Sequence, residues 1–175
     1  MTADIGYTET RRKNNIMSDI LFKTEEYIFS YRVAGVCRKN GRVLLQKPTN
    51  DTGYAFPGGH AAFGETNEKT LIREFQEEIG ASVQVGRLLW VAEIFFTWGK
   101  PCHQICLYYE IDEIFGVPLS GKFSGTESLE GRNFEMEFFW LSPEELEKAA
   151  VYPENAVRLL RDESGAVHHF VYRET

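Results

Sequence analysis

Basic residues are in deficit in this chain: 19 lysines and arginines face 26 aspartates and glutamates, for a net charge of −7. A duplex nucleic-acid binder needs a positive face to displace phosphate counterions, so that class is excluded. A small nucleotide is not excluded, because its phosphates can be reached through a metal. Cysteine is scarce as well. Cys37, Cys102 and Cys106 form an odd, sparse set that builds no disulfide framework. Cys102 and Cys106 flank His103, but their spacing matches no common zinc pattern and the segment has strand character, so core or edge thiols are the reading. Long apolar runs are missing too. Nothing approaches the about 18–20 residues that span a bilayer, and the N-terminus carries no hydrophobic signal segment. The expectation is a cytoplasmic protein with no membrane partner.

What is present suffices for one packed domain: of 175 residues, 43% are hydrophobic and 14% aromatic. Residues 1–16 are polar, with Arg11, Arg12 and Lys13 clustered. They read as part of a flexible N-terminal arm over 1–20, whether native, a tag, or an extension upstream of Met17. A single domain follows over 21–175, with no internal repeat and no dividing linker. Residues 27–37 are aromatic and β-branched, as strands are. Asn40-Gly41 is a two-residue hairpin signal, and Val43-Leu44-Leu45 returns as the second arm. Residues 48–53 are turn-formers, and Phe56-Pro57-Gly58-Gly59 reads as a loop outside regular structure. Strands are expected at 88–96 and 104–111, a long loop at 116–131, and a strand at 134–141. In that last strand Phe134, Met136, Phe138 and Trp140 share one face, opposite Glu135, Glu137 and Phe139. Ser142-Pro143-Glu144-Glu145 then opens a second helix with a capping box, and residues 165–172 add a last strand.

The clearest helix covers residues 67–79. Thr66 or Asn67 caps its start, and Gly80 stands where a left-handed C-terminal cap belongs. Leu71, Phe75 and Ile79 repeat every four residues as a buried stripe, with Ile72 beside it. At about 100° per residue, Glu77 and Glu78 lie at about −60° and 40° from Glu74. Three carboxylates therefore share one side at the rim of the buried face. Such crowding costs an exposed helix roughly 0.2–0.5 kcal/mol per pair, and about 4 kcal/mol at 4 Å where the dielectric is near 20. A divalent cation reverses the sign, since magnesium takes hard carboxylate oxygens together with substrate phosphates. A solvated acidic face with Arg73 paired to Glu77 is the plainer alternative for these residues alone.

The surrounding spacing decides between them. Gly59, five residues, Glu65, seven residues, Arg73-Glu74, two residues, Glu77-Glu78, one residue, Gly80 resembles the Nudix box at every charged and glycine position, with Phe56-Pro57-Gly58-Gly59 just ahead. Two packing positions depart from it: Phe75 and Ala81 stand where the family favours bulky aliphatic residues. The resemblance is sharp over 56–81 and looser over 27–148. It implies an α/β fold, an α/β/α sandwich with a mixed central sheet. It implies Mg2+ as cofactor, with Mn2+ as a substitute, held by Glu74, Glu77, Glu78 and the Gly58 carbonyl. Arg73 would orient the glutamates, with Glu65 tying the loop to the helix, and Gly59 and Gly80 would shape the box. Family members often add an acid from a later strand. Glu135 is the candidate here and Glu137 the alternative. Water would attack phosphorus after losing a proton to a glutamate, and both Glu74 and Glu78 suit that role.

The implied activity is hydrolysis of a pyrophosphate linkage in a nucleoside diphosphate joined to another moiety: an ADP-ribose-like compound, a nucleotide sugar or a modified nucleoside triphosphate. A non-catalytic nucleotide-sensing domain regulating a partner is the alternative. A proline about fifteen residues past the box, which some ADP-ribose hydrolases carry, would fall near Phe96; Pro101 comes later. Tyr27, Phe29, Tyr31, Phe95, Phe96 and Trp98 include candidates for base stacking, although most read as structural aromatics. Arg32 and Arg38 read as surface charges or phosphate contacts, and His103 as a strand histidine or polar contact. Many family members dimerise, but no interface is identified by this sequence.

Overall fold

The computed structural model of the chain describes residues 18–129 and 131–174. The hairpin at Asn40-Gly41 forms as the dipeptide demands. Both residues adopt positive φ, 52° and 73°, which suits the twist of the two flanking strands. It joins β2 (Ile28–Lys39) to β3 (Arg42–Pro48), with Arg38 opposite Val43. The expected strands at 88–96 and 104–111 are longer than their apolar cores: β5 (Ser82–Trp98) and β6 (Lys100–Phe115) pair antiparallel around Gly99. The final strand is β9 (His168–Arg173). With β7 (Lys122–Leu129) and β8 (Arg132–Leu141), the strands run in the order β7-β8-β3-β2-β6-β5-β9. Two further short strands, β1 (Leu21–Lys23) and β4 (Gly58–His60), pair with β2. The β2–β6 and β5–β9 pairs are parallel and the others antiparallel, so the sheet is mixed.

Strand alternation divides the core between two faces. Val33, Leu44, Met136, Phe138 and Trp140 pack with Leu71 and Phe75 of α1 (Asn67–Ile79). Val36, Val43, Leu45 and Leu141 pack with Leu146 of α2 (Pro143–Leu146) and Ala156 of α3 (Asn155–Leu159). Helices therefore cover both faces of one sheet, the expected α/β/α layering. Phe75 and Ala81 are buried, at 1% and 0% exposure, on the α1 side. Both caps of α1 form: Thr66 Oγ1 accepts from Lys69 N at 3.3 Å, and Gly80 is left-handed with φ 67°. Ser142 and Glu145 complete the expected capping box on α2. Among the described residues no helix is long and apolar enough to cross a membrane.

The structure corrects four local expectations. The Phe56–Gly59 stretch is only partly loop, because Gly58, Gly59 and His60 form β4 against Ala34, Val33 and Arg32. Two glycines carry no strand propensity, so backbone pairing with β2 imposes the conformation. The 116–131 loop contains β7, whose Phe123, Gly125, Glu127 and Leu129 are half-buried while the residues between them are exposed. Ile72 leaves the helix stripe at 42% exposure, and Thr70, fully buried, takes its place. Phe134 is likewise 44% exposed, where the strand runs past the core. The expected arm over 1–20 falls largely on residues 1–17, which lie outside the described residues. Residues 18–20 are tied in: Ile20 N donates to Ala61 O at 2.8 Å and Phe63 N to Ser18 O at 3.0 Å.

Candidate active site

The acidic face of α1 meets β4 at close range. A Cβ on Gly59 would meet the carboxylate of Glu74, so any larger residue there would push that side chain aside. Gly58 has φ 144° and accepts a hydrogen bond on its carbonyl from Arg32 Nη2 at 2.7 Å. Arg73 organises the acids around it. Its Nε donates to Glu65 Oε1 at 3.0 Å, its Nη1 to Glu74 Oε1 at 2.6 Å and to Glu77 Oε2 at 3.1 Å, and its Nη2 to the His60 carbonyl at 3.2 Å. Glu65 is further held by Thr70 Oγ1 at 3.0 Å. A planar guanidinium with five donors can make all these bonds at once; an ammonium cannot. Arg73, expected as orienter, thus contacts Glu74 and Glu77, and Glu65, expected as tie, contacts Arg73.

Burial separates the three glutamates. Glu77 is exposed, Glu74 is largely covered, and Glu78 is 4% exposed. Among the described residues Glu78 Oε1 is buried with no hydrogen-bond partner. Desolvation, reinforced by the neighbouring Glu74 and Glu127 charges, pushes the Glu78 carboxyl well above the ordinary carboxylate range. Desolvation raises Glu74 as well, against the pull of Arg73. Glu65 moves the other way, held down mainly by its bonds to Arg73.

Arg73, Glu74, Glu77 and Glu78 line a cavity of about 60 Å³ with Asp19, His60, Thr126 and Glu127. Asp19 and Glu127 are acids that sequence reasoning missed. Asp19 sits in a polar segment and gives no signal. Glu127 lies on the inward face of β7, and the alternation of Phe123, Gly125, Glu127 and Leu129 is the signal that could have found it. Its carboxylate stands 3.8 Å from Arg32 Nη2. Glu135 is not brought here: it lines a separate depression with Thr49 and Ser124. Glu137 is engaged by Lys122 at 2.9 Å, which holds it below the usual range. The reason is topological, because β7 lies outside β8 in the sheet and packs against α1. A Cβ on Gly125 would press on the Glu78 carbonyl and the Phe138 ring.

The donors suit a hard cation. They are carboxylate oxygens around one small cavity, and one of them, Glu78 Oε1, is buried without a hydrogen-bond partner among the described residues. Among the described residues, however, no three acidic, histidine or cysteine side chains stand converged as a ready metal cage. The Gly58 carbonyl, expected as a ligand, is already engaged by Arg32, and Arg73 bridges Glu74 to Glu77.

A wider cleft adjoins the acids. Its deeper part, about 340 Å³, is lined by Phe56, Phe96, Tyr108 and Tyr152 among others. An outer part of about 630 Å³ reaches Trp98, His60 and Leu129. Glu127 borders both parts and the acidic cavity. Of the candidate stacking aromatics, Phe96 and Trp98 reach the cleft. Tyr31 instead donates to Asn67 Oδ1 at 3.1 Å, Phe29 packs edge-on to His103, and Phe95 stacks on His103. Arg32 borders the cleft, whereas Arg38 pairs with Glu110 at 3.5 Å. His103 lies 4.0 Å from Glu93. All three cysteines are free and buried, and burial pushes the Cys37 thiol up to about 12.

A family model described as NUDIX domain matches residues 28–165. An RNA pyrophosphohydrolase of Actinobacillus pleuropneumoniae serotype 5b is 33% identical over 66 residues, 38% of this chain and 32% of that protein. An ADP-ribose pyrophosphatase of Methanocaldococcus jannaschii is 39% identical over 62 residues, 34% of this chain and 37% of that protein. The chain thus spans about a third of the length of the curated relatives it matches. Among solved structures, a MutT protein from Bacillus halodurans superposes with a TM-score of 0.60 at 20% identity, covering 82% of this chain and 90% of that one. A MutT NUDIX hydrolase from Burkholderia pseudomallei gives 0.55 at 20% identity, covering 76% and 97%. At such identities the likeness speaks for the fold.

Proposed function

The chain belongs to the Nudix family, and from that premise we propose that it hydrolyses a pyrophosphate linkage in a nucleoside diphosphate joined to another moiety. The observation that carries this reading is Glu78: a nearly inaccessible carboxylate with an unpaired oxygen, set among other acids beside a cleft large enough for a nucleotide. A buried carboxylate without a partner is costly for stability alone. Its retention makes sense where something positive is to be met.

Glu74, Glu77 and Glu78 would hold magnesium, with manganese as a substitute, and Glu127 and Asp19 line the same cavity. When bound, the ion neutralises pyrophosphate oxygens and makes a water easier to deprotonate. The protein's own residues do the rest. Arg73 fixes Glu74 and Glu77 in place, and its bond to the His60 carbonyl locks helix to strand. Arg32, anchored on Gly58, presents positive charge where the cleft meets the acids. A water attacking phosphorus must lose a proton. Glu74 Oε1 is held by Arg73, so we assign the proton to the Glu78 carboxylate, whose two oxygens can divide metal and proton between them.

Sensing without turnover is the second reading, favoured by one observation: Arg73 already bridges two of the acids. A single panel separates the two. ADP-ribose, nucleotide sugars, modified nucleoside triphosphates and a short pyrophosphate-bearing RNA are incubated with the protein and magnesium, and phosphate-containing products are measured. Turnover that disappears with EDTA and in Glu77→Gln supports the hydrolase. Tight binding with no turnover across the panel would replace it with the sensor.

A further inference from the structure

The carboxylates around the acidic cavity divide into those the fold has paired and those it has not. Arg73 holds Glu74 and Glu77, and Arg32 stands against Glu127. Two acids of the lining remain: Glu78 from α1 and Asp19 from the segment ahead of β1. Among the described residues, neither has an ion pair or a side-chain hydrogen bond. Glu78 is 4% exposed, and a carboxylate buried that far without a partner points to a ligand the fold does not itself supply. Asp19 is exposed, so an ion from solvent can reach it.

Asp19 is nevertheless held in place. It forms an antiparallel bridge with Ala62, closed on both sides: Ile20 N donates to Ala61 O at 2.8 Å and Phe63 N to Ser18 O at 3.0 Å. The Ile20 carbonyl accepts from Tyr31 N at 3.0 Å, and the Ile20 side chain packs on the core beneath α1. Neighbouring side chains of an extended segment point to opposite sides. With Ile20 turned to the core, Asp19 is left to the cavity. Ala61 and Ala62 follow β4 directly, so Asp19 rides on the backbone that carries Gly59 past Glu74. Five carboxylates and one guanidinium then line a single small cavity. Like charges so gathered repel, and a hard divalent cation turns that repulsion into attraction.

We propose that Asp19 is a ligand of the divalent cation, so that the ion is gripped by the α1 helix and by the segment ahead of β1 together. The inference rests on the cation reading of this cavity, but not on turnover. Manganese titration followed by electron paramagnetic resonance, without nucleotide, tests it. Asp19→Asn should bind the ion at least tenfold more weakly than the natural protein, whereas Glu135→Gln should match it. Weaker binding alone also follows from a disturbed backbone, so Asp19→Cys supplies a direct readout. A thiolate prefers a soft ion. Cadmium should therefore give this variant an ultraviolet thiolate-to-metal charge-transfer band that the natural protein, with its three cysteines buried, does not show. That band stands as the test even if Asp19→Asn fails to fold. Equal manganese affinity in Asp19→Asn and the natural protein, or no cadmium band in Asp19→Cys, would overturn the assignment. A natural protein that binds no manganese would overturn it together with the cation reading. Binding weakened by Asp19→Asn, with no hydrolysis of any pyrophosphate compound, would remove the proposed reaction and leave Asp19 as a ligand. Hydrolysis with equal manganese affinities would do the reverse.

Discussion

Replacing Glu78 by glutamine should make the metal-free protein more stable while removing its response to divalent cations. Glu78 is 4% exposed, its Oε1 has no partner, and Glu74 and Glu127 add like charge. At neutral pH the empty fold must either bury that charge or protonate it. Glutamine keeps the shape without the charge. Each unit by which the fold raises that carboxyl costs about 1.4 kcal/mol at neutral pH, a cost glutamine does not carry, so Glu78→Gln should stabilise the empty protein by at least that order. For a chain of this size each kcal/mol is about 2–4 °C in Tm. Magnesium should raise the Tm of the natural protein through binding to the folded state, and that of the variant much less. The pH dependence has a definite sign. A carboxyl raised in the folded state binds more protons folded than unfolded, so its destabilisation is absent below the ordinary value of 4.5 and grows as pH rises through the folded value. The gap between variant and natural protein should therefore be widest near pH 8 and close toward pH 4.5. Thermal unfolding by circular dichroism, in EDTA and in magnesium across that range, gives all these quantities. A variant no more stable than the natural protein in EDTA at pH 8, or an equal magnesium shift in both, would refute the reasoning.

Glu127→Gln should lower pyrophosphate hydrolysis at least tenfold, and Glu135→Gln should leave it near the natural rate, because only Glu127 lines the acidic cavity; steady-state kinetics at saturating magnesium compare them. Gly59→Ala would drive a methyl group into the Glu74 carboxylate. It should weaken manganese binding, followed by electron paramagnetic resonance, with a smaller effect on Tm. Arg73→Lys keeps the charge but cannot span Glu65, Glu74, Glu77 and the His60 carbonyl together. A loss of about 1–3 kcal/mol in denaturant unfolding is expected, with a further drop in kcat.

Elements defined by local chemistry are legible in the amino-acid sequence. The α1 helix carries its cap residues, its apolar spacing and its left-handed stop within a few residues, and its ends fall where the sequence places them. The Asn40-Gly41 hairpin and the Ser142 capping box are similarly self-contained. Strand β4 is not legible in this way, because two glycines extend only when β2 is there to pair with them. Strand β7 is hidden by the glycines at 116, 121, 125 and 131. Its alternation becomes meaningful only with α1 packed on one side of it.

For the site, sequence alone determined the acids of the box and the arginine among them, since their helical spacing puts them on one face whatever surrounds the helix. Tertiary structure decided which other groups join them. Glu127 and Asp19 reach the cavity, Glu135 does not, and Arg32 takes the Gly58 carbonyl. The physical reason is range. A helix repeats every 3.6 residues and carries its own geometry. Which strand lies at the sheet edge, and which polar atom is stranded when the layers close, depends on partners dozens of residues away.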